Sequence, residues 1–544
     1  MWNEGYVSEI DYVFGYFPEM SPARLKLALL SRGIGHNVPT SPNYLELGFG
    51  QGLSLAINAA TASGDYYGTD FNPSQANNAM RFAQASGKLV QIFDDSFEVF
   101  AARDDLPAFD VIALHGIWSW VSDKGREAIL KIVDERLKPG GMLYMSYNVV
   151  PGWSPLMPLR HLLWEHHQRA GSGGVVSRMD AALAFVDQVR NMGTGYFGAQ
   201  PGASGWLDVM KGQDRNYLAH EYFNAQWRPE SFADVSDRLA GVKLTYGASA
   251  NIVENIAERY LPPEMTAMLA TVEDPTLREL TKDFLVNRKF RTDIFVKGAR
   301  TLTANEVSDT MCSASFVRTG LNETLPSSIN FSFGEVPLRT DIFEPIARFM
   351  EEAEGGVASF VELCSVAKQQ DMHADQLIEA LMALVGTGYL ALATDSDTIA
   401  EDYFASLRFN REMCRQARYS GQAQYLAAPG IGAGIKVGRL ELIALHALAS
   451  GFEDVAEYML ETLQGQHETV QINGTSAGSD QEALEQLRII AKGVRAELLP
   501  KLERLGAVAT CEGNPFAVPT IELAASDPAL SGLIDNCGAL QMTA

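Results

Sequence analysis

The string Glu46-Leu47-Gly48-Phe49-Gly50-Gln51-Gly52 constrains this chain more than any other. It closes a short apolar run at 43–47 and precedes 54–62, a stretch of helical composition. An apolar run that enters glycines and then a helix reads as a buried parallel strand opening a βα unit. The pattern then repeats. Residues 66–70 form a second strand candidate, and Asn72-Pro73-Ser74 behind it is a helix-start signal. Residues 89–93 and 109–115 are the third and fourth strands. An amphipathic helix at 127–137 is expected to stop at Lys138-Pro139-Gly140-Gly141, with a fifth strand at 142–147. This alternation predicts an α/β, doubly wound sheet whose ligands sit at the carboxyl ends of its strands.

The glycine string is not a dinucleotide fingerprint, because Leu53 or Leu55 stands where the third glycine is required. Its glycines still let backbone approach a ligand closely. Glu46 repels a pyrophosphate but can hold an ammonium. Asp70 lies 24 residues beyond it, at the end of the second strand, where a carboxylate can accept both hydroxyls of a ribose. This combination resembles the first motif of class I methyltransferases that use S-adenosylmethionine. The resemblance implies a Rossmann-like, seven-stranded sheet and a cofactor site made by Glu46, Gly48, Gly50, Gly52, Asp70 and Phe71. It also implies a carboxylate for the adenine amino group in Asp94-Asp95-Ser96. Asp95 is preferred there, with Asp94 one register away.

Two further strings, Leu114-His115-Gly116-Ile117-Trp118-Ser119-Trp120-Val121 and Ser146-Tyr147-Asn148-Val149-Val150-Pro151-Gly152-Trp153, are similar to those of methyltransferases carrying a methyltransferase regulatory domain. The entry segment from Tyr6 and Tyr12 to Leu25 resembles that family too. So do the 217–223 and 290–298 strings, at the start and end of its regulatory region. The string at 425–435 is looser. In length and layout the chain is similar to rickettsial lysine methyltransferases that act on an outer-membrane protein. The resemblance adds Tyr12 and His115 to the cofactor side, and Trp118, Trp120 and Trp153 as candidates for an acceptor pocket. Aromatic faces hold cations at about 0.5–2 kcal/mol each. A lysine amine, titrating near ~10.4, must lose its proton before it attacks. Tyr147, His220 and Glu221 are the candidate helpers, and Asn148 is placed to orient an amine.

The first sheet is expected to end near residue 300, with a helical insertion or regulatory region at about 155–290. Residues 301–400 read as a helical, winged-helix-like unit, and 401–544 as a second helical, looser copy, with helices near 437–449, 452–464 and 480–504. A homodimer through this C-terminal region is one expectation. The 67 acidic against 43 basic residues give a net charge of -24, which argues against nucleic acid as partner. Cys312, Cys364, Cys414, Cys511 and Cys537 are scattered without a CxxC pair, which suits a reducing compartment and offers no zinc site. His166-His167 lacks the spacing of a metalloprotease pair, and no Gly-Lys-Ser/Thr string exists. The first ten residues show no secretory pattern, and no apolar run spans a bilayer, so a cytoplasmic location is expected. Three functions stand at this point. The first is S-adenosylmethionine-dependent methylation of protein lysines, yielding S-adenosylhomocysteine. The others are methylation of a small molecule or glycan intermediate, and non-catalytic binding of S-adenosylmethionine by a regulatory protein.

Overall fold

Seven strands pair into one sheet: β1 (Asn43–Leu47), β2 (Asp65–Thr69), β3 (Val90–Phe93), β4 (Phe109–Leu114), β5 (Leu137–Asn148), β6 (Leu244–Ser249) and β7 (Phe290–Lys297). Their spatial order is β3-β2-β1-β4-β5-β7-β6, and only β7 runs antiparallel to its neighbours. This is the doubly wound α/β class expected from the alternation. The computed structural model describes residues 6, 12–170, 172–193, 195–320, 324–472, 475–510 and 515–516. The expectations for Cys511 and Cys537, for the first ten residues apart from Tyr6, and for 517–544 lie outside the described residues.

Every residue of β4 is buried, as a central strand covered on both faces requires. Helices α1 (Pro22–Ser31), α2 (Leu53–Thr61), α3 (Pro73–Ser86) and α4 (Asp123–Arg136) supply that cover. Helix α3 starts where Asn72 caps the Ser74 N–H at 3.0 Å and ends at Gly87, whose φ of 73° is a left-handed stop. One boundary departs from expectation. Helix α4 ends at Arg136, next to the expected stop, but strand β5 begins at once at Leu137, with Lys138-Pro139-Gly140-Gly141 as its irregular start. Leu137 pairs with Phe109, the register shifts by Val111, and the Gly140 carbonyl accepts the Asn37 N–H at 2.9 Å.

Between β5 and β6 the chain builds a helical insertion above the carboxyl ends of the strands. Its helices α5 (Met157–Arg169), α6 (Val175–Asn191), α7 (Pro201–Lys211) and α8 (Arg215–Tyr222) share their own apolar cluster, which includes Leu163, Met179, Leu207 and Tyr222. Helix α9 (Phe232–Ala240) then leads into β6.

Past the sheet, β8 (Ser315–Arg318) is the middle strand of a three-stranded antiparallel sheet with β9 (Val357–Ser359) and β10 (Leu390–Leu392). Helices α10 (Thr340–Glu352), α11 (Phe360–Gln369) and α12 (Ala374–Gly386) complete this unit. Helix α13 (Ser396–Ala417), unread in the sequence, then crosses back to the first sheet. A hairpin, β11 (Tyr425–Ala428) with β12 (Ala433–Lys436), and helices α14 (Arg439–Ala449), α15 (Val455–Gly465) and α16 (Asp480–Gly493) follow.

Helix α2 is the joint. All its residues are buried, since one side faces the sheet and the other meets α13 and the hairpin. Ser406 Oγ donates to the Ala60 carbonyl at 2.7 Å, and Asp402, fully buried, pairs with Lys88 at 2.5 Å. Asn410 anchors α13 from within. Its amide donates to the carbonyls of Ala427 and Ala507 at 2.7 and 2.8 Å and accepts the Ala427 N–H at 2.6 Å. Asn410→Ala leaves three buried backbone groups unpaired, each worth ~1–3 kcal/mol, so a loss of roughly 3 kcal/mol or more is expected. A lowered midpoint in urea unfolding, read by circular dichroism, checks it.

Candidate functional site

A cavity of about 300 Å³ opens at the carboxyl ends of β1, β2 and β4. Strand alternation at its edge sends Leu45 and Leu47 into one core and Glu46 to the opposite face, where Glu46 is buried outside the lining itself. The parallel register of Glu46 on Gly68 and Leu47 on Thr69 brings Asp70, the next residue, beside it. Both carboxyls are nearly sealed, at 4% and 5% exposure. Asp70 accepts the N–H groups of Gly50 at 2.9 Å and Asn72 at 3.0 Å, and Gln75 donates to it with its amide in the bonding orientation. Glu46 Oε2 is buried with no hydrogen-bonding partner among the described residues. Burial, and then the Asp70 charge, push the Glu46 carboxyl up to about 8. Burial pushes Asp70 up to about 7, held back by its two backbone donors.

The glycines between these carboxyls are conformationally required. Gly48, Gly50 and Gly52 have φ of 72°, 56° and 77°, all left-handed. A Cβ on Gly48 would stand 2.3 Å from Ile117 Cδ1, and one on Gly52 2.4 Å from Ala79 Cβ. Gly50 faces the cavity, with only Tyr12 near its missing side chain.

Of the remaining residues expected on the cofactor side, Tyr12, Phe71, Asp95, Ser96 and His115 line the same cavity. Asp95 is held by Arg103 at 2.9 Å, and its carbonyl accepts the Thr69 hydroxyl at 2.7 Å. Asp94 points away into solvent, and Gly52 is buried behind the loop as the α2 start. His115 stacks on Phe17 with centroids 3.6 Å apart and shares a 2.7 Å hydrogen bond through Nδ1 with the Tyr144 hydroxyl. Burial drives it down to about 3, so it stays neutral.

The opposite wall comes from far away in sequence. Helix α8 brings His220 and Glu221 to the cavity, with Trp120 beside them. His220 packs between the rings of Tyr6 and Tyr12, at centroid distances of 5.3 and 5.0 Å. Burial pushes Glu221 up to about 7.

Seven expected residues lie outside the cavity lining: Glu46, Gly52 and Asp94, described above, and Tyr147, Asn148, Trp118 and Trp153. Tyr147 is buried below it, donating its hydroxyl to Asp293 at 2.7 Å. Asn148 is buried, its N–H on Ser119 Oγ and its carbonyl accepting from the Glu230 N–H. Trp118 donates Nε1–H to Glu230 at 2.7 Å, within the Arg126 and Arg228 ion pairs of that carboxylate. Trp153 packs in the helical insertion against Trp206 and Trp227. Sequence reasoning left Tyr6, Gln75, Asn224 and Gln226 without a role at the cavity they line. Only Gln75 carried a local signal, three residues into the helix behind Asp70.

Two family models match the chain: a methyltransferase domain at 45–143 and a predicted methyltransferase regulatory domain at 214–297. An uncharacterized protein of Synechocystis sp. is 34% identical over 508 residues, 93% of this chain and 99% of that protein. An uncharacterized protein of Rickettsia prowazekii is 27% identical over 273 residues, 49% of this chain and 48% of its own. PKMT2 from Rickettsia typhi, solved in complex with S-adenosylhomocysteine, shares the fold with a TM-score of 0.65 at 18% identity. The match covers 91% of this chain and 99% of that one. Among the described residues no helix is long and apolar enough to cross a membrane, and no group of His, Cys, Asp and Glu is disposed to hold a metal ion.

The two raised carboxyls give the site a sign. Between about pH 5 and 8 the folded chain holds protons on Glu46 and Asp70 that the unfolded chain has released, so their burial costs stability as pH rises. A cationic ligand drawn to them favours the charged forms. Its affinity is expected to rise by about tenfold or more from pH 6 to 8, with protons released on binding. Calorimetry in buffers of different ionisation enthalpy measures that release.

Proposed function

We infer that this chain, which belongs to the class I S-adenosylmethionine-dependent methyltransferases carrying a methyltransferase regulatory domain, methylates lysine side chains of a protein substrate. The carrying observation is that a carboxyl-and-glycine wall and an aromatic wall with its own carboxyl face each other across one cavity. The buried, unpartnered oxygen of Glu46 fits an ammonium, and the glycine loop admits close backbone approach. In this reading Glu46 and the loop hold the amino-acid end of the cofactor and Asp70 takes the ribose hydroxyls. Phe71, Asp95 and Ser96 take the adenine. When bound, S-adenosylmethionine supplies an activated methyl group on a sulfonium.

The residues opposite govern the acceptor. Orienting a nucleophile in a closed site is worth roughly 7–11 kcal/mol of barrier. Tyr6, Tyr12 and Trp120 exclude water and offer ring faces to an alkylammonium. Glu221, poised near neutrality by burial, takes the proton that the amine must lose. His220 fixes the two tyrosine rings. Tyr147 and Asn148 act from outside, by holding β5 against β7 and the Glu230 strut. Dimerisation through the C-terminal region belongs to this reading too, and analytical ultracentrifugation reads it.

Glu221→Gln is expected to lower kcat by about 10²–10⁴-fold near pH 7 while cofactor affinity stays within about twofold. A rate unchanged by that substitution removes Glu221 from the mechanism. Labelled S-adenosylmethionine supplied to a cell lysate with the enzyme should leave radioactive methyl-lysine after protein hydrolysis. Label confined to small molecules overturns lysine as the acceptor.

A further inference from the structure

A second cavity, of about 570 Å³, lies away from the methyl-transfer site, where α3 of the first sheet meets α13 and α14. Four arginines converge on it. Arg408, Arg411 and Arg415 project from one face of α13 at i, i+3 and i+7, and Arg81 reaches across from α3. Glu412 is the one carboxylate in the lining, and it is taken by both forks of Arg415 at 2.6 and 2.7 Å. Arg408 is anchored by the Ser86 carbonyl at 3.0 Å, which aims its guanidinium along the helix end. Among the described residues no carboxylate lies within ion-pair distance of Arg81 or Arg411, and Arg81 acts on Glu412 only through the longer-range field that helps hold that carboxyl below its usual range. His446, on the third wall, is held below its usual range to about 4 by burial and by Arg418, Arg411 and Arg415.

Such an excess of guanidinium over carboxylate is out of keeping with a chain of net charge -24. Like charges gathered in a hollow repel one another, and an anion relieves that repulsion. Planar guanidinium forks match phosphate oxygens bidentately. The shape narrows the ligand. Three helices border an open hollow, with Ala85, Ala449 and Phe516 as its apolar part, and its volume is that of a small-molecule site. A duplex or an extended strand requires instead a basic stripe running along the surface.

We propose that this four-arginine cavity binds a small metabolite carrying at least two phosphate groups, its phosphates on Arg81 and Arg411 and its organic part against Phe516 and the alanines. The site is independent of the methyl acceptor, and its occupant bridges the first sheet to the C-terminal layer through α3 and α13.

Titration calorimetry of the full chain with inorganic pyrophosphate, at constant ionic strength, tests this. Saturable binding is expected, weakened about tenfold or more in Arg81→Gln/Arg411→Gln, with the thermal midpoint and the binding of S-adenosylmethionine unchanged. Should the double variant misfold, Arg411→Lys keeps the charge but loses the fork, and an intermediate weakening supports the same geometry. Absence of pyrophosphate binding overturns the proposal, and so does binding that the substitutions leave intact. Co-sedimentation with phosphatidylinositol bisphosphate vesicles separates a lipid headgroup from a free phosphate. Vesicle binding without pyrophosphate binding also overturns it.

Discussion

The parallel register of β1 on β2 is the constraint on which the rest of the site depends. Pairing Glu46 with Gly68 puts two carboxyl groups side by side at neighbouring strand ends, inside the protein. Burying two like acids is costly, and nothing in the described chain neutralises them with a cation. Asp70 is compensated by hydrogen-bond donors alone, the Gly50 and Asn72 N–H groups and the Gln75 amide. The loop's three left-handed glycines are therefore part of an electrostatic device. They turn the Gly50 N–H toward one acid, while an oxygen of the other is left without a partner among the described residues.

The far half of the sheet is held by an opposite principle. Arg291 is buried on β7 and binds Asp293, Asp283 and Glu279 at 2.7, 2.7 and 2.8 Å, while Arg288 joins Asp283 to Glu254. Here every buried charge has a counter-charge, and removing one member strands the others at roughly 3–5 kcal/mol. The Tyr147 hydroxyl is a terminal member of this network through Asp293. The stretch matching a regulatory domain, 214–297, contains both α8 and β7. One continuous segment thus supplies a wall of the cavity and the ionic lock that keeps the last strands in place.

What could be read in the sequence was local. Glu46, the glycines and Asp70 are tied to one another through strand ends only 24 residues apart, so type and spacing sufficed. The first five strands are legible for the same reason. The acceptor side was harder. Glu221, His220, Tyr147 and Trp118 all come through family strings, which give a place near the strand ends but not a side chain's partner. The actual partners of Tyr147 and Trp118, Asp293 and Glu230, lie 146 and 112 residues away, and no periodicity announces such a pairing. The start of β5 is hidden because proline and glycines read as the stop of the preceding helix, yet an irregular strand start accommodates both. Helix α13 went unread because its buried polar anchors, Asp402 and Asn410, interrupt the apolar stripe that identifies a helix.

Helix α2 has no solvent face, and this has a consequence for how such a chain changes over time. Its outer side is covered by residues nearly 350 positions later, as in the 2.7 Å bond from Ser406 to Ala60. A layer that shares its core with the catalytic sheet cannot be exchanged like a bead on a string. Any recombination that replaces residues beyond 395 must bring a matching helix and hairpin, or leave Leu53, Ala56, Ile57 and Ala60 wet. Inheritance of the two halves is thereby coupled by packing alone, whatever each half does.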